Sequence, residues 1–249
     1  MKSGNKKMEK ISNIVDQVAN LNDETQIHSK RVGLYAKAFS IILGLNNEES
    51  NKIAIAAVTH DLGKMHIDKN VLEKPDKLTE EEFELIKKHP ELGYQELIKN
   101  KSKLNQSPEQ FRVTLEVALY HHEKYNGFGY PQQLKGEEIP LSAQIVGVVD
   151  VFDALSCERV YKRSWDKEEL MDFMAEQSGK AFNPVLVNAF LKNQDIFYGL
   201  KDYIGSSNDL DITNMDSEVS NFMKRNGYDV VNKEKSLTYA LIEKQRRKF

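Results

Sequence analysis

Along this chain apolar residues return every three or four positions, and the strict alternation of a half-buried strand is almost absent. A first helix is expected from Glu24 through His28, Val32, Tyr35 and Phe39 to Leu43, with Asn22 placed to cap it and Gly44 to end it. A second follows Asn46 or Asn47 and carries Ile53, Ala56, Ala57 and His60. Thr79 with Glu82 makes a capping box for a helix reaching Lys88, where Pro90 forces a break or a restart and leaves His89 at a helix boundary. Ser107 and Pro108 supply an N-cap and an N1 proline for a helix through Phe111, Leu115 and Leu119 to His122. After a loop marked by Gly127 and Gly129, an apolar helix over Ser142 to Cys157 presents Asp150 near its middle. Two more begin after Asp166, with Glu169 completing a capping box, and after Asn183-Pro184. The pattern predicts an all-α bundle of about seven core helices. From Ser206 the chain turns polar and charged, with weakly amphipathic helices around Glu218 to Arg225 and Ser236 to Lys248. The expected division is an N-terminal helical extension over 1–23, a core domain over 24–205 and a charged C-terminal extension over 206–249.

Composition narrows the picture. A chain of 249 residues, 40% hydrophobic, can bury one substantial core. No stretch approaches the roughly 20 apolar residues that cross a bilayer, and no apolar segment follows the basic N-terminus as a secretory signal would require. A cytoplasmic protein without membrane contact is expected, and the single Cys157, which has no internal disulfide partner, fits a reducing compartment. A net charge of −3 offers no broad attraction to DNA or RNA polymers. Phosphate binding, if it occurs, has to be local.

The histidines carry the chemistry. His28, His60, His89, His121 and His122 come from four helices or helix ends, and most lie near a carboxylate or another histidine. Helical bundles assemble internal metal sites in this way. Taken singly, each residue has a plainer reading, since a histidine within a helix is more often a satisfied polar residue. His121 and His122 on one helix point about 100° apart, as one buried and one exposed residue would. Jointly they form a set from which only His66 falls out. Imidazole mixed with carboxylate favours iron or manganese over a structural zinc, which would want cysteines.

These residues also carry a family resemblance. His60-Asp61-Leu62-Gly63-Lys64 resembles the signature of the HD phosphohydrolase superfamily, and His28 to Val32 its upstream ligand helix. His121-His122-Glu123-Lys124-Tyr125-Asn126-Gly127-Phe128-Gly129-Tyr130-Pro131 matches the HHE-xxx-GxGYP signature of HD-GYP domains at every defining position. Asp150 to Leu155 and Arg159 to Lys162 are similar to the family as well, and the likeness runs from about Glu24 to about Asp195.

What the resemblance implies is hydrolysis of cyclic di-GMP to pGpG, with pGpG or GMP left open as the end product, at a centre of two or three divalent ions. By position, His28, His60, Asp61 and Asp150 look like ligands of one ion, and Asp61 bridges to a second held by His89, His121 and His122. Glu24 is similar to the extra ligand of three-metal members; its plainer role is an acidic residue favouring the helix dipole. Lys64, three residues after Asp61, is placed to contact a phosphate oxygen, or else simply faces a helix C-terminus. Tyr130, Arg159 and Lys162 look like substrate contacts, the latter two alternatively a solvated basic face. Glu123 is a candidate to orient a ligand imidazole.

The chemistry agrees. Two metals about 3.5–4 Å apart supply a bridging hydroxide for in-line attack and neutralise the phosphoryl oxygens and the leaving alkoxide. Three departures from the family bear on substrate choice: Gln144 where arginine is usual, Val160 where proline is usual, and Met65-His66 after the lysine. The alternatives are hydrolysis of another signalling nucleotide, such as cyclic GMP-AMP or a guanosine polyphosphate, and a non-catalytic adaptor that binds a cyclic dinucleotide or a GGDEF-domain protein. Homo-oligomerisation is left open by the sequence.

Overall fold

The computed structural model describes residues 23–157, 163–205 and 214–227, and among these the structure is helical, with a single isolated bridge between Ser178 and Phe182 in place of any strand. The helices are α1 (Asp23–Ile42), α2 (Asn47–Val58), α3 (Glu80–Ile86), α4 (His89–Lys99), α5 (Pro108–Tyr120), α6 (Leu141–Ser156), α7 (Lys167–Glu176), α8 (Pro184–Lys192), α9 (Gln194–Gly205) and α10 (Met215–Arg225). Short helical turns lie at Leu62–His66, Lys69–Leu72, Lys101–Leu104 and Gly136–Glu138. No helix among the described residues is long and apolar enough to cross a membrane.

Most stop and start signals act as expected, although Asp166 caps its helix without the reciprocal Glu169 bond of a capping box. Asn46 and Thr79 form capping boxes with Glu49 and Glu82. Ser107, Asp166 and Asn183 cap α5, α7 and α8 through side-chain oxygens that accept the first free N–H groups. Gly44, at φ +87°, ends the first helical run in the left-handed region. Pro90 brings a restart: its missing N–H costs nothing in the first turn of α4. Helix α9 was not anticipated. Asn22 and the amphipathic stretch Ser236 to Lys248 lie outside the described residues.

Two helices form the axis of the fold. From Val32 onward α1 is buried on nearly every side, and α6 is buried from Ser142 to Asp150. A helix apolar all round belongs at the centre of a protein. Around them α2, α7, α8 and α9 close one core, in which Tyr35, Phe39, Phe152, Phe190 and Phe197 meet in edge and tilted ring contacts. A smaller cluster of Val58, Leu62, Leu97, Leu104, Phe111 and Ala118 joins α2, α4 and α5. The polar residues His28 and Asp150 therefore sit on the two most buried helices.

Helix α10, within the charged extension, docks on this core through Met215, Val219 and Met223. A buried cation holds it there. The Lys37 ammonium on α1 is fully buried and donates to Asp216 Oδ1 at 2.7 Å, Asn51 Oδ1 at 2.5 Å and Asn47 Oδ1 at 3.1 Å. Removing the carboxylate would take away a 2.7 Å charged partner of that buried ammonium. We expect Asp216→Ala to lower stability by about 2 kcal/mol, because the asparagines remain as partial compensation. Urea unfolding followed by circular dichroism measures it, and an unchanged midpoint would show the clasp to be idle.

Candidate metal centre

Seven side chains converge where α1, α2, α4, α5 and α6 meet. His28 comes from the second turn of α1 and Asp150 from the middle of α6. His60 and Asp61 follow the end of α2, His89 opens α4, and His121 and His122 follow the last turn of α5. His121 caps the end of α5 with helical dihedrals, and both adjacent histidines still offer a nitrogen to one donor group rather than one of them facing solvent.

The donors fall into two groups. One ligand atom each from His28, His60 and Asp150 lies within 4.8 Å of the others, and the same holds for Asp61, His89, His121 and His122. Asp61 faces both groups. Its Oδ2 is 3.3 Å from His60 Nε2 and 3.7 Å from His28 Nε2, while its Oδ1 is 3.3 Å from His89 Nε2 and 3.9 Å from His121 Nε2. Asp150 Oδ1 approaches His28 Nε2 at 3.1 Å and His60 Nε2 at 3.7 Å.

The other ring nitrogens decide what these atoms can do. Nδ1 of His60, His89 and His121 faces the backbone carbonyl of Ala57, Ile86 and Val117 at 2.7, 2.7 and 2.9 Å. A carbonyl only accepts, so Nδ1 carries the proton and, in the neutral ring, Nε2 is a bare lone pair. His28 Nδ1 donates to Asp153 Oδ2 at 2.6 Å. Arg31 grips the same carboxylate with two bonds of 2.6 and 2.8 Å. Burial opposes ionisation of Asp153, but Arg31 and then His28 hold it down at about 2.

The result is a buried space rich in electron pairs and poor in protons. The Nε2 atoms of His89 and His121 face each other at 3.2 Å. His60 Nε2 and Asp61 Oδ1 are buried with no hydrogen-bond partner. Burial, helped by neighbouring imidazoles, drives His121 well below its usual range. Burial is also the leading cause that takes His89 to about 3 and His122 to about 4. At His60 burial is outweighed by Asp61 and then by Asp150, which lift it to about 10, a measure of how strongly these carboxylates attract positive charge. Asp61 stays well below the carboxylate range, because Lys64 and then His60 outweigh its desolvation. Imidazoles whose second nitrogen is anchored on a carbonyl or carboxylate have the arrangement of metal ligands. The residues fit divalent metal.

Close backbone packing brings the groups together. A Cβ on Gly63 would collide with the His89 carbonyl and the Gly93 amide, so glycine lets α4 deliver His89 against Asp61. A Cβ on Gly147 would stand 2.9 Å from the His121 carbonyl.

The remaining expected residues are placed as follows. Lys64 Nζ is 2.6 Å from Asp61 Oδ2. Glu24 is exposed in the first turn of α1 and belongs to neither donor group. The Tyr130 ring stacks on His122, centroids 4.8 Å apart. Arg159 and Lys162 lie outside the described residues. One expectation changes: Glu123, in place of orienting an imidazole, accepts the Gln132 and Leu134 amides at 2.7 and 3.1 Å and pins the loop that carries Tyr130. Gln144, at the position where arginine is usual in the family, is buried and donates to the Ile139 carbonyl at 2.8 Å while accepting from Asn183 at 3.0 Å, a brace between α6, α8 and the preceding loop. His66 stays outside the site, against Glu96 at 3.1 Å. Asp153 and Arg31 receive no role from the sequence, although each stands three residues beyond a member of the first donor group on its own helix, the spacing that keeps one face.

The HD domain family model matches residues 11–186, well over half of the chain. The chain belongs to the HD domain family. Its relatives and its intact HHE-xxx-GxGYP segment set it on the HD-GYP branch. A 3'3'-cGAMP-specific phosphodiesterase 2 of Vibrio cholerae is 37% identical over 193 residues, covering 78% of this chain and 36% of that protein. The cyclic di-GMP phosphodiesterase response regulator RpfG of Xanthomonas campestris is 44% identical over 152 residues, 61% of this chain and 39% of the relative. A cyclic di-GMP phosphodiesterase of Thermotoga maritima is 40% identical over 169 residues, 68% and 44% respectively. The chain thus spans less than half the length of each of these proteins. An HDG"Y"P protein from Bdellovibrio bacteriovorus shares the fold, with a TM-score of 0.54 at 22% identity over 73% of this chain and 56% of that one.

Cutting the Asp153 anchor should leave His28 free to rotate and weaken metal at its group. We expect Asp153→Asn to lower affinity for the more weakly held ion about 10- to 100-fold. Competitive titration with a chelating dye reads this, and unchanged affinity would contradict the anchoring role.

Proposed function

We propose that the chain is a metal-dependent phosphodiesterase that opens cyclic di-GMP to linear pGpG and carries the product on to GMP. The observation that carries this reading is Asp61, whose two carboxylate oxygens each face a different group of donors. One carboxylate shared between two cation sites suits a reaction in which both the attacking and the departing oxygen of a phosphodiester must be stabilised. Divalent ions in this position, iron or manganese by the imidazole–carboxylate mixture, supply Lewis acidity and a nucleophile at neutral pH. His28, His60 and Asp150 would hold one ion, His89, His121 and His122 the other.

The surrounding residues have separable tasks. Lys64, held on Asp61, keeps a positive charge beside the carboxylate and within reach of a phosphate oxygen. Tyr130, fixed by its stacking on His122, walls the site on the side of its loop and orients the substrate. Arg159 and Lys162 are assigned to the bases or the second phosphate on the strength of the family resemblance. Two ions are what the two donor groups can hold, and Glu24, one turn before His28, is the residue through which a third would be added. Metal content of Glu24→Gln against wild type decides between the counts. We take residues 24–205 as the catalytic unit, since all proposed ligands and the core helices α1 to α9 fall within it.

The relative of Vibrio cholerae named for 3'3'-cGAMP supports a second reading within the same reaction class, hydrolysis of cyclic GMP-AMP. Side-by-side turnover of the two dinucleotides separates them.

Anaerobic incubation with cyclic di-GMP and added iron or manganese, with products resolved by chromatography, should yield pGpG and then GMP. Asp61→Ala should reduce the rate at least about a hundredfold. A wild-type protein with a verified metal load that leaves both cyclic dinucleotides intact would refute the reading and favour a binding role.

A further inference from the structure

Outside the donor groups, the residues lining the approach to His122 form a second recognition feature. The Tyr130 ring covers His122 at an interplanar angle of 30°. The Lys87 ammonium, at the C-terminal end of α3, lies 5.8 Å from the Tyr130 centroid and 5.3 Å from the centroid of Phe83, one turn earlier on the same helix. Both distances fall within cation–π range. Phe83 is 45% exposed and Phe128, two residues before Tyr130, is 82% exposed. A row therefore runs outward from the metal centre: imidazole, phenol ring, ammonium, phenyl ring.

The row matches a particular ligand chemistry. Lys64 is already engaged by Asp61, the bridging carboxylate. Among the described residues Lys87 is held by Glu84 Oε1, at 2.6 Å, and by the two rings. Glu84 is largely exposed, so a phosphate can replace its carboxylate at little cost. An exposed phenyl face next to an ammonium is a stacking platform for a nucleobase attached to a phosphate. A cyclic dinucleotide has two phosphates, and only one can be at the metal centre at a time.

We propose that Lys87 binds the phosphate that is not being cut, while the exposed ring of Phe83 stacks on an adjoining base, so that this arm selects dinucleotides over simple phosphodiesters. The inference rests on the phosphodiesterase reading and refines its substrate class.

The test compares two substrates on the metal-loaded full chain. Cyclic di-GMP has the second phosphate and the bases; bis(p-nitrophenyl) phosphate has one phosphodiester and neither. Lys87→Met should raise KM for cyclic di-GMP at least about tenfold, the loss of one charged hydrogen bond, with kcat changed less than about twofold. Turnover of bis(p-nitrophenyl) phosphate should be unaltered, and Lys87→Arg should restore most of the dinucleotide KM. Phe83→Ala should raise the same KM about three- to tenfold, with Phe83→Tyr close to wild type. If wild type cleaves cyclic di-GMP and Lys87→Met changes neither substrate, or both equally, the arm has no selective role and the inference fails while the proposed function stands. If wild type cleaves bis(p-nitrophenyl) phosphate but no dinucleotide, both fail together.

Discussion

Five imidazoles and two carboxylates gathered at the junction of buried helices would repel one another unless a cation sat among them, and the rest of the structure follows from that requirement. Burying lone pairs and negative charge without protons or metal costs several kcal/mol for each unpaired group. Lys64 against Asp61 relieves this only in part. The protein fixes the Nδ1 protons of His60, His89 and His121 on the Ala57, Ile86 and Val117 carbonyls and that of His28 on Asp153, which turns the Nε2 atoms of these four rings inward. Among the described residues Lys64 sets its ammonium against Asp61, on the oxygen facing the His28 group, and the other oxygen, against His89 and His121, has no hydrogen-bond donor. Stability is conceded at this point, and binding a cation would restore it.

The fold's contribution is positional. The two central helices α1 and α6 bring His28 and Asp150 together, and each carries, three residues on, a partner in the Arg31–Asp153–His28 chain that fixes the first group. The second group depends on close backbone approach: Gly63 against His89 and Gly147 against His121 leave no room for a side chain. The loop carrying Tyr130 is tied to Glu123, the residue immediately after the histidine pair. Ligand geometry and the shape of the substrate entrance are thereby coupled through three consecutive residues.

Much of this could be read from the order of residues. Caps at Asn46, Thr79, Ser107, Asp166 and Asn183 set helix starts by local hydrogen bonding, which leaves a local signature. The cluster of donor side chains is legible because metal chemistry restricts residue type, so that histidines and carboxylates repeated at helix ends stand out from a background of satisfied polar residues. What escaped was whatever depends on a distant partner. Glu123 reads as a site residue from its neighbours in sequence, yet its partners are backbone amides nine and eleven residues downstream, reached through turns that no periodicity reports. Asp153 lies 125 residues from His28, and nothing local marks the contact. The Lys87 arm was invisible for the same reason, since α3 meets the Tyr130 loop only in the folded chain.

The central claim is that Asp61 is shared between two metal sites. Anomalous diffraction from crystals of anaerobically purified, iron- or manganese-loaded protein tests it most directly. Two peaks are predicted, one among His28, His60 and Asp150 and one among His89, His121 and His122, with a different oxygen of Asp61 turned to each. A single peak, or density in which Asp61 contacts no ion, would contradict the account.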